Sequence, residues 1–361
     1  MDTLDTQNRT LYFDYLRTFA TFSVMAVHVS YFNWVGIDVN TTDWRILNFF
    51  FGMRWMIPVF VMISGALFLK RDIPIAKIYS KYVIRMLTAF IFWSIIYYLF
   101  MYGNPIEQLS TLMGNGRAQA IANLLHSNYN FHLWFVPMIA GLYMCIPILR
   151  LIIQNEKITN YYLILSFIFG ILIPQSISLI DNFCNEGIKL VIHAIAANVT
   201  DMNMDLVLGY SFYFILGYKL TNISFNTKTR YIIYTLGATG FMTTIIISRF
   251  LSIRTQVPNQ NYMSNFNVNV LLSAIGMFEL FKNIPFKPGK LHNAMSKLSK
   301  WGLGAYLIHI LVIVTLMRFG INSLAFNPVF AVPLITVLVF VISNGITALI
   351  SLIPVINKYI V

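Results

Sequence analysis

Long apolar segments recur along this 361-residue chain and constrain its fold more than any other feature. A helix that crosses a bilayer needs about 20 consecutive, mainly apolar residues, and ten segments fit this pattern. They lie at roughly 11–33, 46–69, 82–102, 131–153, 161–180, 206–220, 231–251, 265–283, 301–319 and 329–353. We therefore predict an all-α polytopic membrane protein with about ten transmembrane helices. It is expected to form one domain over residues 1–361, without an appended soluble domain; residues 103–130 and 181–205 receive no structural prediction.

The charged residues are too few to cover a water-facing surface. Asp, Glu, Lys and Arg make up 11% of the chain, against about 25% in a typical soluble domain. This composition excludes a water-soluble enzyme. The net charge of +12 is typical of basic cytoplasmic loops and does not indicate a nucleic-acid partner. The two cysteines, Cys145 and Cys184, form neither a CxxC motif nor a disulfide framework.

Lysine and arginine placement predicts the orientation in the membrane. Fourteen of these residues fall in or beside the even-numbered loops between segments, and six fall on the odd-numbered side. Cytoplasmic loops carry the excess of Lys and Arg. Both termini are therefore predicted to be cytoplasmic, in a multi-pass protein of the plasma or inner cell membrane. The first segment, which lacks a small-residue cleavage site, is expected to be a retained helix and not a signal peptide.

The first segment carries three ionisable residues, Asp14, Arg17 and His28. Such side chains are costly within a bilayer and usually mark a site or a pathway. Arg17 and His28 are eleven residues apart, so on a helix both project from one face, about 16 Å apart along the axis. Asp14 lies one turn before Arg17 and can pair with it. Arg17 could hold an anionic donor while His28 acts as a general base on a hydroxyl. The alternative is a structural ion pair beside a hydrogen-bonded histidine.

Basic residues elsewhere are further candidates. Lys81 and Arg85 open the third segment and suit the phosphates of an anionic donor, although ordinary cytoplasmic placement also explains them. Arg54 lies about 12 Å into the second segment from outside, by eight residues of helical rise. It is expected to face protein, and either to bind an acceptor oxygen or developing oxyanion or to pair with a carboxylate.

Aromatic and imidazole groups form the remaining candidates. His132 and Trp134 lie at the outer start of the fourth segment. There His132 is expected to help orient the acceptor or the base, with an interfacial anchor as the alternative. Trp134 is expected to anchor the helix at the interface, with stacking on a sugar face as the alternative. Tyr306 and His309 share one face of the ninth helix, with structural support slightly favoured over chemistry. The chain contains no HExxH, P-loop or GxSxG motif, so no metal site, ATP-driven pump or serine hydrolase is predicted.

Several of these motifs together resemble the acyltransferase-3 family of integral membrane acyltransferases. The resemblance begins with the R-x10-H spacing of Arg17 and His28, preceded by Asp14. It continues through PVFVMISGALFL (58–69), KYVIR (81–85), FHLWFVPMIAGLYMCIPIL (131–149) and WGLGAYLIHI (301–310). These segments occur in order over nearly the whole chain.

This resemblance implies acyl transfer, usually of acetyl, from cytosolic acyl-CoA to a hydroxyl of an envelope glycan across the membrane. It implies that His28 is the catalytic histidine and that Arg17 positions the donor. Acetyl-CoA is then a co-substrate, and no permanently bound cofactor is expected. Two departures from the family pattern are noted: no C-terminal esterase-like domain is expected, and Lys81–Arg85 replaces a tight run of arginines.

The sequence therefore predicts an envelope O-acetyltransferase whose partners are acyl-CoA, a glycan or lipid-linked saccharide acceptor, and the bilayer. Direct attack on the thioester and a two-step route through an acyl-histidine both fit the residues. The competing interpretations are a glycan or lipid-linked sugar exporter and a structural subunit of a glycan-synthesis complex. Transporters usually show internal repeats, and none is evident here.

Overall fold

The computed structural model describes residues 11–101, 131–202 and 209–354, together with 110, 111, 113, 114, 117, 118, 121 and 122. The chain is 80% helix, and the part that the structure describes contains no strand. The all-α prediction is therefore confirmed. Most of the segment 103–130, for which no structure was predicted, lies outside the described residues, as do the two termini.

The helices, in chain order, are α1 (Leu11–Trp34), α2 (Thr42–Phe51), α3 (Met56–Phe68), α4 (Ile75–Lys77), α5 (Ile84–Met101), α6 (Phe135–Ile153), α7 (Glu156–Phe167), α8 (Ile173–Phe183), α9 (Glu186–Asp201), α10 (Ser211–Asn222), α11 (Thr227–Thr255), α12 (Val268–Asn283), α13 (Lys290–Arg318) and α14 (Pro328–Ile350). π-helical turns at Ile78–Val83 and Ile168–Leu172 join α4 to α5 and α7 to α8. Side-chain caps start several helices: Thr41 accepts from the Trp44 amide at 3.1 Å, and Asn155 and Asn226 cap α7 and α11.

Seven stretches are long and apolar enough to cross a membrane: Thr42–Phe68, Ile75–Phe100, Phe135–Ile153, Glu156–Phe183, Thr227–Thr255, Lys290–Arg318 and Pro328–Ile350. The multi-pass prediction is thus supported. All ten predicted segments contain helix, but α10 and α12 have only 12 and 16 residues, and α1 carries the polar residues discussed above. The number ten and the cytoplasmic termini therefore stay predictions.

The chain divides into two compact units. The first unit comprises Met1–Arg71, Ile148–Ser299 and Ser323–Leu334. The second unit comprises Asp72–Pro147, Lys300–Asn322 and Ile335–Val361. Because α13 contributes to both, its first ten residues are described with the first unit and the rest with the second.

Glycines bring helices of the first unit into close contact. A Cβ on Gly65 of α3 would lie 1.8 Å from the carbonyl oxygen of Phe214 in α10, and one on Gly217 would lie 2.0 Å from that of Met62. Gly237 and Gly276 play the same part between α11 and α12. Small residues let helix backbones approach closely where there is no water to drive packing. Gly65 and Gly217 therefore allow α3 and α10 to pack backbone against backbone.

A buried amide fixes the C-terminal end of α1 in the first unit. Asn48 of α2 accepts a hydrogen bond from the Trp34 indole at 3.1 Å and one from the Ser248 hydroxyl at 2.9 Å. Its own amide donates to the Ile245 carbonyl at 3.1 Å. The polar groups of three helices are satisfied by one side chain, as an apolar interior requires. The segment that carries His28 therefore has a defined position.

Candidate functional site

Arg17 and His28 lie on one side of a single uninterrupted helix, α1. The helix makes their separation about 16 Å along its axis, as the sequence spacing requires. Both side chains are half-buried, whereas Ala20, Thr21 and Val24 between them are 0%, 2% and 1% exposed. This side of α1 therefore packs against protein and not lipid.

The polar residues near the start of α1 bind the first part of α13. Arg17 Nη1 donates to the Ser299 hydroxyl at 3.2 Å, and the Thr18 hydroxyl donates to the Met295 carbonyl at 3.3 Å. Asp14, one turn before Arg17, is fully buried. Since charged groups inside a protein are held by polar partners, Arg17 is oriented toward α13. The Asp14–Arg17 pair itself stays a prediction.

Arg54 lies in a break between α2 and α3, because residues 52–55 are not helical. The apolar segment 46–69 was expected to be one helix, and this break is the main departure from that expectation. The Arg54 guanidinium carbon sits 3.8 Å from the centroid of the Phe51 ring, and Nη2 approaches the Met263 sulfur at 3.8 Å. The Phe51 ring in turn stacks on Tyr31 with centroids 5.5 Å apart. Tyr31 is three residues after His28, so Arg54 lies toward the His28 end of α1.

The Arg54 side chain has an unused hydrogen-bond donor. Its Nε is buried and has no hydrogen-bond partner among the described residues. No carboxylate within the described part of the chain forms an ion pair with it, and its guanidinium contacts an aromatic ring and a thioether. The alternative in which Arg54 pairs with a carboxylate is therefore not seen. A guanidinium in such surroundings is suited to an anionic or developing negative oxygen.

Lys81 and Arg85 belong to the second unit, at the start of its first long helix. Lys81 lies in the π-helical turn Ile78–Val83 and is exposed, while Arg85 lies in the first turn of α5 and is half-buried. The neighbouring Tyr82 ring packs edge-on against Tyr143 of α6, with centroids 6.1 Å apart. π-helical turns are rare and often occur at functional sites. The two basic groups therefore lie one turn apart on an anchored helix end.

Two buried histidines and two tyrosines meet in the second unit; we call them the imidazole cluster (Tyr97, His132, Tyr306 and His309). The His132 ring lies 4.8 Å from Tyr97, 5.8 Å from Tyr306 and 5.3 Å from His309, measured between centroids. His132 and His309 are 2% and 0% exposed. Since His132 lies in the turn that precedes α6, these contacts connect that turn with α5 and α13.

Hydrogen bonds to the backbone hold the imidazole cluster together. The Tyr97 hydroxyl donates to the Leu307 carbonyl at 2.8 Å, and the Tyr306 hydroxyl donates to the His132 carbonyl. His309 Nδ1 lies 2.5 Å from the Tyr306 carbonyl oxygen, so Nδ1 carries the proton. Burial, and next the neighbouring His309, lower the pKa of His132 well below its ordinary value of 6.5. His132 is therefore neutral at pH 7.

The predicted site residues are divided between the two units, and the structure brings His132, Tyr306 and His309 into direct contact. Asp14, Arg17, His28 and Arg54 belong to the first unit, and Lys81, Arg85, His132, Trp134, Tyr306 and His309 belong to the second. Trp134 is half-buried and packs edge-on against Phe135, with centroids 6.3 Å apart. Sequence reasoning missed Tyr97, Ser299 and Tyr31, whose parts depend on contacts between distant segments. Within the described residues, no group of three or more His, Cys, Asp or Glu side chains is arranged to hold a metal ion.

Comparison with known proteins gives one match. Residues 10–350 match the family model described as an acyltransferase domain, that of the acyltransferase-3 family. Neither the curated proteins nor the solved structures contain a match. The match covers all the motifs from Asp14 to His309, and the resemblance inferred from them is confirmed.

Proposed function

Because this chain belongs to the acyltransferase-3 family and is a multi-pass membrane acyltransferase, we propose that it is an envelope O-acetyltransferase of the plasma or inner membrane. It transfers acetyl from cytosolic acetyl-CoA to a hydroxyl of an extracytoplasmic glycan or lipid-linked saccharide. The observation that carries this proposal is the pair of half-buried groups, Arg17 and His28, on one protein-facing side of α1. Donor and acceptor can then meet within the membrane domain.

The donor half of the proposal uses the basic groups. Lys81 and Arg85 bind phosphates of CoA, since both residue types suit phosphate. Arg17, whose guanidinium is already directed toward α13 by Ser299, holds the donor part-way along its arm. The thioester then lies about 16 Å further along α1, at the depth of His28.

The chemical step uses His28 as a general base. Its imidazole takes the proton of the acceptor hydroxyl while the acceptor oxygen attacks the thioester carbonyl carbon. The new C–O bond forms a tetrahedral intermediate, the C–S bond then breaks, and the CoA thiolate receives the proton that His28 holds. A two-step route would instead form an acetyl-imidazole on His28 before the acceptor attacks.

Arg54 is the group we assign to the oxyanion of this intermediate. It lies toward the His28 end of α1 through Phe51 and Tyr31, and its Nε has no hydrogen-bond partner among the residues described. A donor that is pre-positioned for developing negative charge in a water-poor site stabilises the transition state strongly. Removal of one such donor typically costs about 10²–10³ in rate.

The test is transfer of radiolabelled acetyl from acetyl-CoA to envelope glycan by purified protein in nanodiscs. His28→Ala and Arg17→Ala are compared with wild type. His193→Ala serves as a matched control, because the His193 side chain is 54% exposed and its ion-pair partner Asp181 is 40% exposed. Transfer is expected to be lost in His28→Ala, reduced in Arg17→Ala, and retained in His193→Ala.

Undiminished transfer by His28→Ala would contradict the catalytic assignment. The exporter alternative is tested with the same proteins in liposomes that contain labelled glycan. Absence of acetyl transfer from wild type, together with glycan movement across the bilayer, would replace the proposal by the exporter.

A further inference from the structure

A continuous stack of aromatic rings, which we call the aromatic ladder, runs beside α1 in the first unit. Its members, in order of contact, are His292, Tyr15, Phe286, Phe281, Phe19 and Trp55. Tyr15 and Phe286 lie closest, with centroids 3.9 Å apart and planes inclined by 12°. Tyr15 and Phe19 are one helical turn apart on α1, so the ladder follows the helix toward Trp55 beside Arg54.

The end of the ladder formed by His292, Tyr15 and Phe286 is partly exposed and lies beside a strongly basic segment. Tyr15, Phe286 and His292 are only half-buried. From Ile284 to Lys300 the chain contains four lysines and no Asp or Glu. Lys287 and Lys290 are exposed, and neither forms an ion pair with any residue that the structure describes. An exposed aromatic face beside uncompensated positive charge suits a ligand that combines a planar ring with phosphate.

Two local features add to this match. Helix α13 begins at Lys290, and the free amides and partial positive charge of a helix N-terminus favour an anion there. His292 Nδ1 is buried and has no hydrogen-bond partner within the described residues. A buried imidazole nitrogen without a partner is costly, and an amino group or hydroxyl of a ligand would satisfy it. The excess of positive charge in cytoplasmic loops accounts for the lysines. It does not account for the stacked rings or for the buried Nδ1 of His292.

We propose that the His292 end of the aromatic ladder binds the adenosine end of the acyl-CoA donor. Phe286, Tyr15 and His292 receive the purine ring, and Lys287 and Lys290 bind the ribose 3′-phosphate. This inference rests on the proposed function, in which acyl-CoA is the donor, and it names the part of the donor that this surface recognises.

The position of the ladder agrees with the length of the donor. The adenine and the thioester lie at opposite ends of an extended acyl-CoA. Tyr15 and His28 are thirteen residues apart on α1, which is about 20 Å along the axis. Arg17 lies between them along the axis, but its side chain projects from nearly the opposite side of α1 to Tyr15, since two residues correspond to 200° of rotation. An acyl-CoA that reaches from the ladder to His28 therefore passes around α1, from the side predicted to be cytoplasmic.

The proposal separates two interactions that can be measured separately. Stacking is indifferent to the 3′-phosphate, whereas the lysine contact requires it. CoA and 3′-dephospho-CoA are therefore the two probes, with their binding to protein in nanodiscs measured by calorimetry. The variants are Phe286→Leu and the double variant Lys287→Gln, Lys290→Gln. The control variants are Tyr231→Leu, an aromatic residue 67% exposed at the start of α11, and Lys228→Gln, an exposed lysine beside it.

Phe286→Leu is expected to lower the affinity for both probes by about tenfold, which corresponds to the loss of one base-stacking contact. The lysine double variant is expected to lower the affinity for CoA by about tenfold, which corresponds to the loss of a charge-assisted phosphate contact. Its affinity for 3′-dephospho-CoA should be unchanged. Phe286→Trp should restore the affinity of both probes. The two control variants should bind like wild type.

Wild-type affinity in Phe286→Leu and in the lysine variant would overturn this inference while leaving the proposed acetyl transfer intact. An equal loss in the control variants would overturn it as well. Failure of the wild-type protein to bind either probe would instead contradict the proposed function itself.

Discussion

The histidines of the first and second units occupy contrasting environments. His28 is half-buried on the side of α1, in a row with Arg17. His132 and His309 are 2% and 0% exposed and are surrounded by Tyr97 and Tyr306. The first imidazole is partly exposed, whereas the other two are enclosed by side chains. This difference supports the proposal that His28 carries out the chemistry, and it favours helix support as the role of the imidazole cluster.

The hydrogen bonds of the imidazole cluster point to the same division. Three of its hydrogen bonds end on backbone carbonyls, those of Leu307, His132 and Tyr306. The His132 carbonyl lies in the turn before α6, where a carbonyl needs a partner when no water reaches it. The cluster supplies that partner, and the Tyr97 hydroxyl links α5 to α13. For His132, burial therefore favours support over the acceptor-orienting part considered from sequence.

The largest expected effect is an exchange of phenotypes between His28→Gln and His309→Gln. Loss of a general base typically reduces the rate by about 10²–10⁴, so His28→Gln should abolish most transfer and leave thermal stability near wild type. His309→Gln removes a buried hydrogen bond and should instead lower stability by about 1–3 kcal/mol. Acetyl transfer per folded molecule and apparent Tm in detergent are measured together.

The assignment of chemistry to His28 and of helix support to His309 would be contradicted if His309→Gln lost as much acetyl transfer as His28→Gln while its apparent Tm stayed unchanged. His309 would then take part in the reaction. Exposed His193, replaced in the same way, supplies the baseline for both measurements.

A smaller effect is expected from Tyr306→Phe. The substitution keeps the ring contacts and deletes the hydroxyl that donates to the His132 carbonyl. A buried carbonyl without its partner costs about 1–2 kcal/mol, so the apparent Tm should fall by a few degrees. Transfer by the folded fraction should be unchanged. Tyr97→Phe, which deletes the bond to Leu307, should behave alike.

Tyr231→Phe is the control for this pair of variants. Tyr231 is 67% exposed, and its ring packs edge-on against Tyr234 with centroids 6.2 Å apart. Its replacement should leave the apparent Tm unchanged. A fall as large as that of Tyr306→Phe would show that the hydroxyl bonds of the imidazole cluster carry no special share of the stability.

Much of the fold could be predicted because membrane helices are encoded locally by apolar length. Every one of the ten apolar segments contains helix. Hydropathy failed where structure depends on something else. It did not reveal the break at residues 52–55, and it began the ninth helix at 301 although α13 begins at Lys290. Lysine, serine and leucine continue a helix readily into the polar region, where an apolar window no longer detects it.

The candidate site was predictable only where its geometry lies within one helix. The spacing of Arg17 and His28 follows from helical rise alone. The imidazole cluster does not, because its hydrogen bonds join residues 210 and 174 positions apart. The aromatic ladder was missed for the same reason: Tyr15 and Phe286 belong to opposite ends of the chain. Abundant phenylalanine is ordinary in membrane helices, so neither residue stands out in sequence.

The smallest expected effect is a pH dependence of stability that comes from His132. Its pKa in the folded protein is held well below 6.5 by burial and by His309, while the unfolded chain titrates near 6.5. Below pH 6.5 the unfolded state therefore binds a proton that the folded state does not, and stability falls as pH falls. Between pH 7 and pH 6 this single group should cost about 0.7 kcal/mol.

The measurement is the apparent Tm of wild type and His132→Gln across this pH range. Other histidines titrate there too, so the difference between the two slopes is the informative quantity. Wild type should lose stability more steeply than His132→Gln, whereas replacement of exposed His193 should leave the wild-type slope unaltered. Parallel curves for wild type and His132→Gln would mean that the imidazole cluster accepts a proton in the folded state. The contrast between a partly exposed His28 and an enclosed His132 would then fail, because a desolvated imidazole should not hold a charge in this pH range.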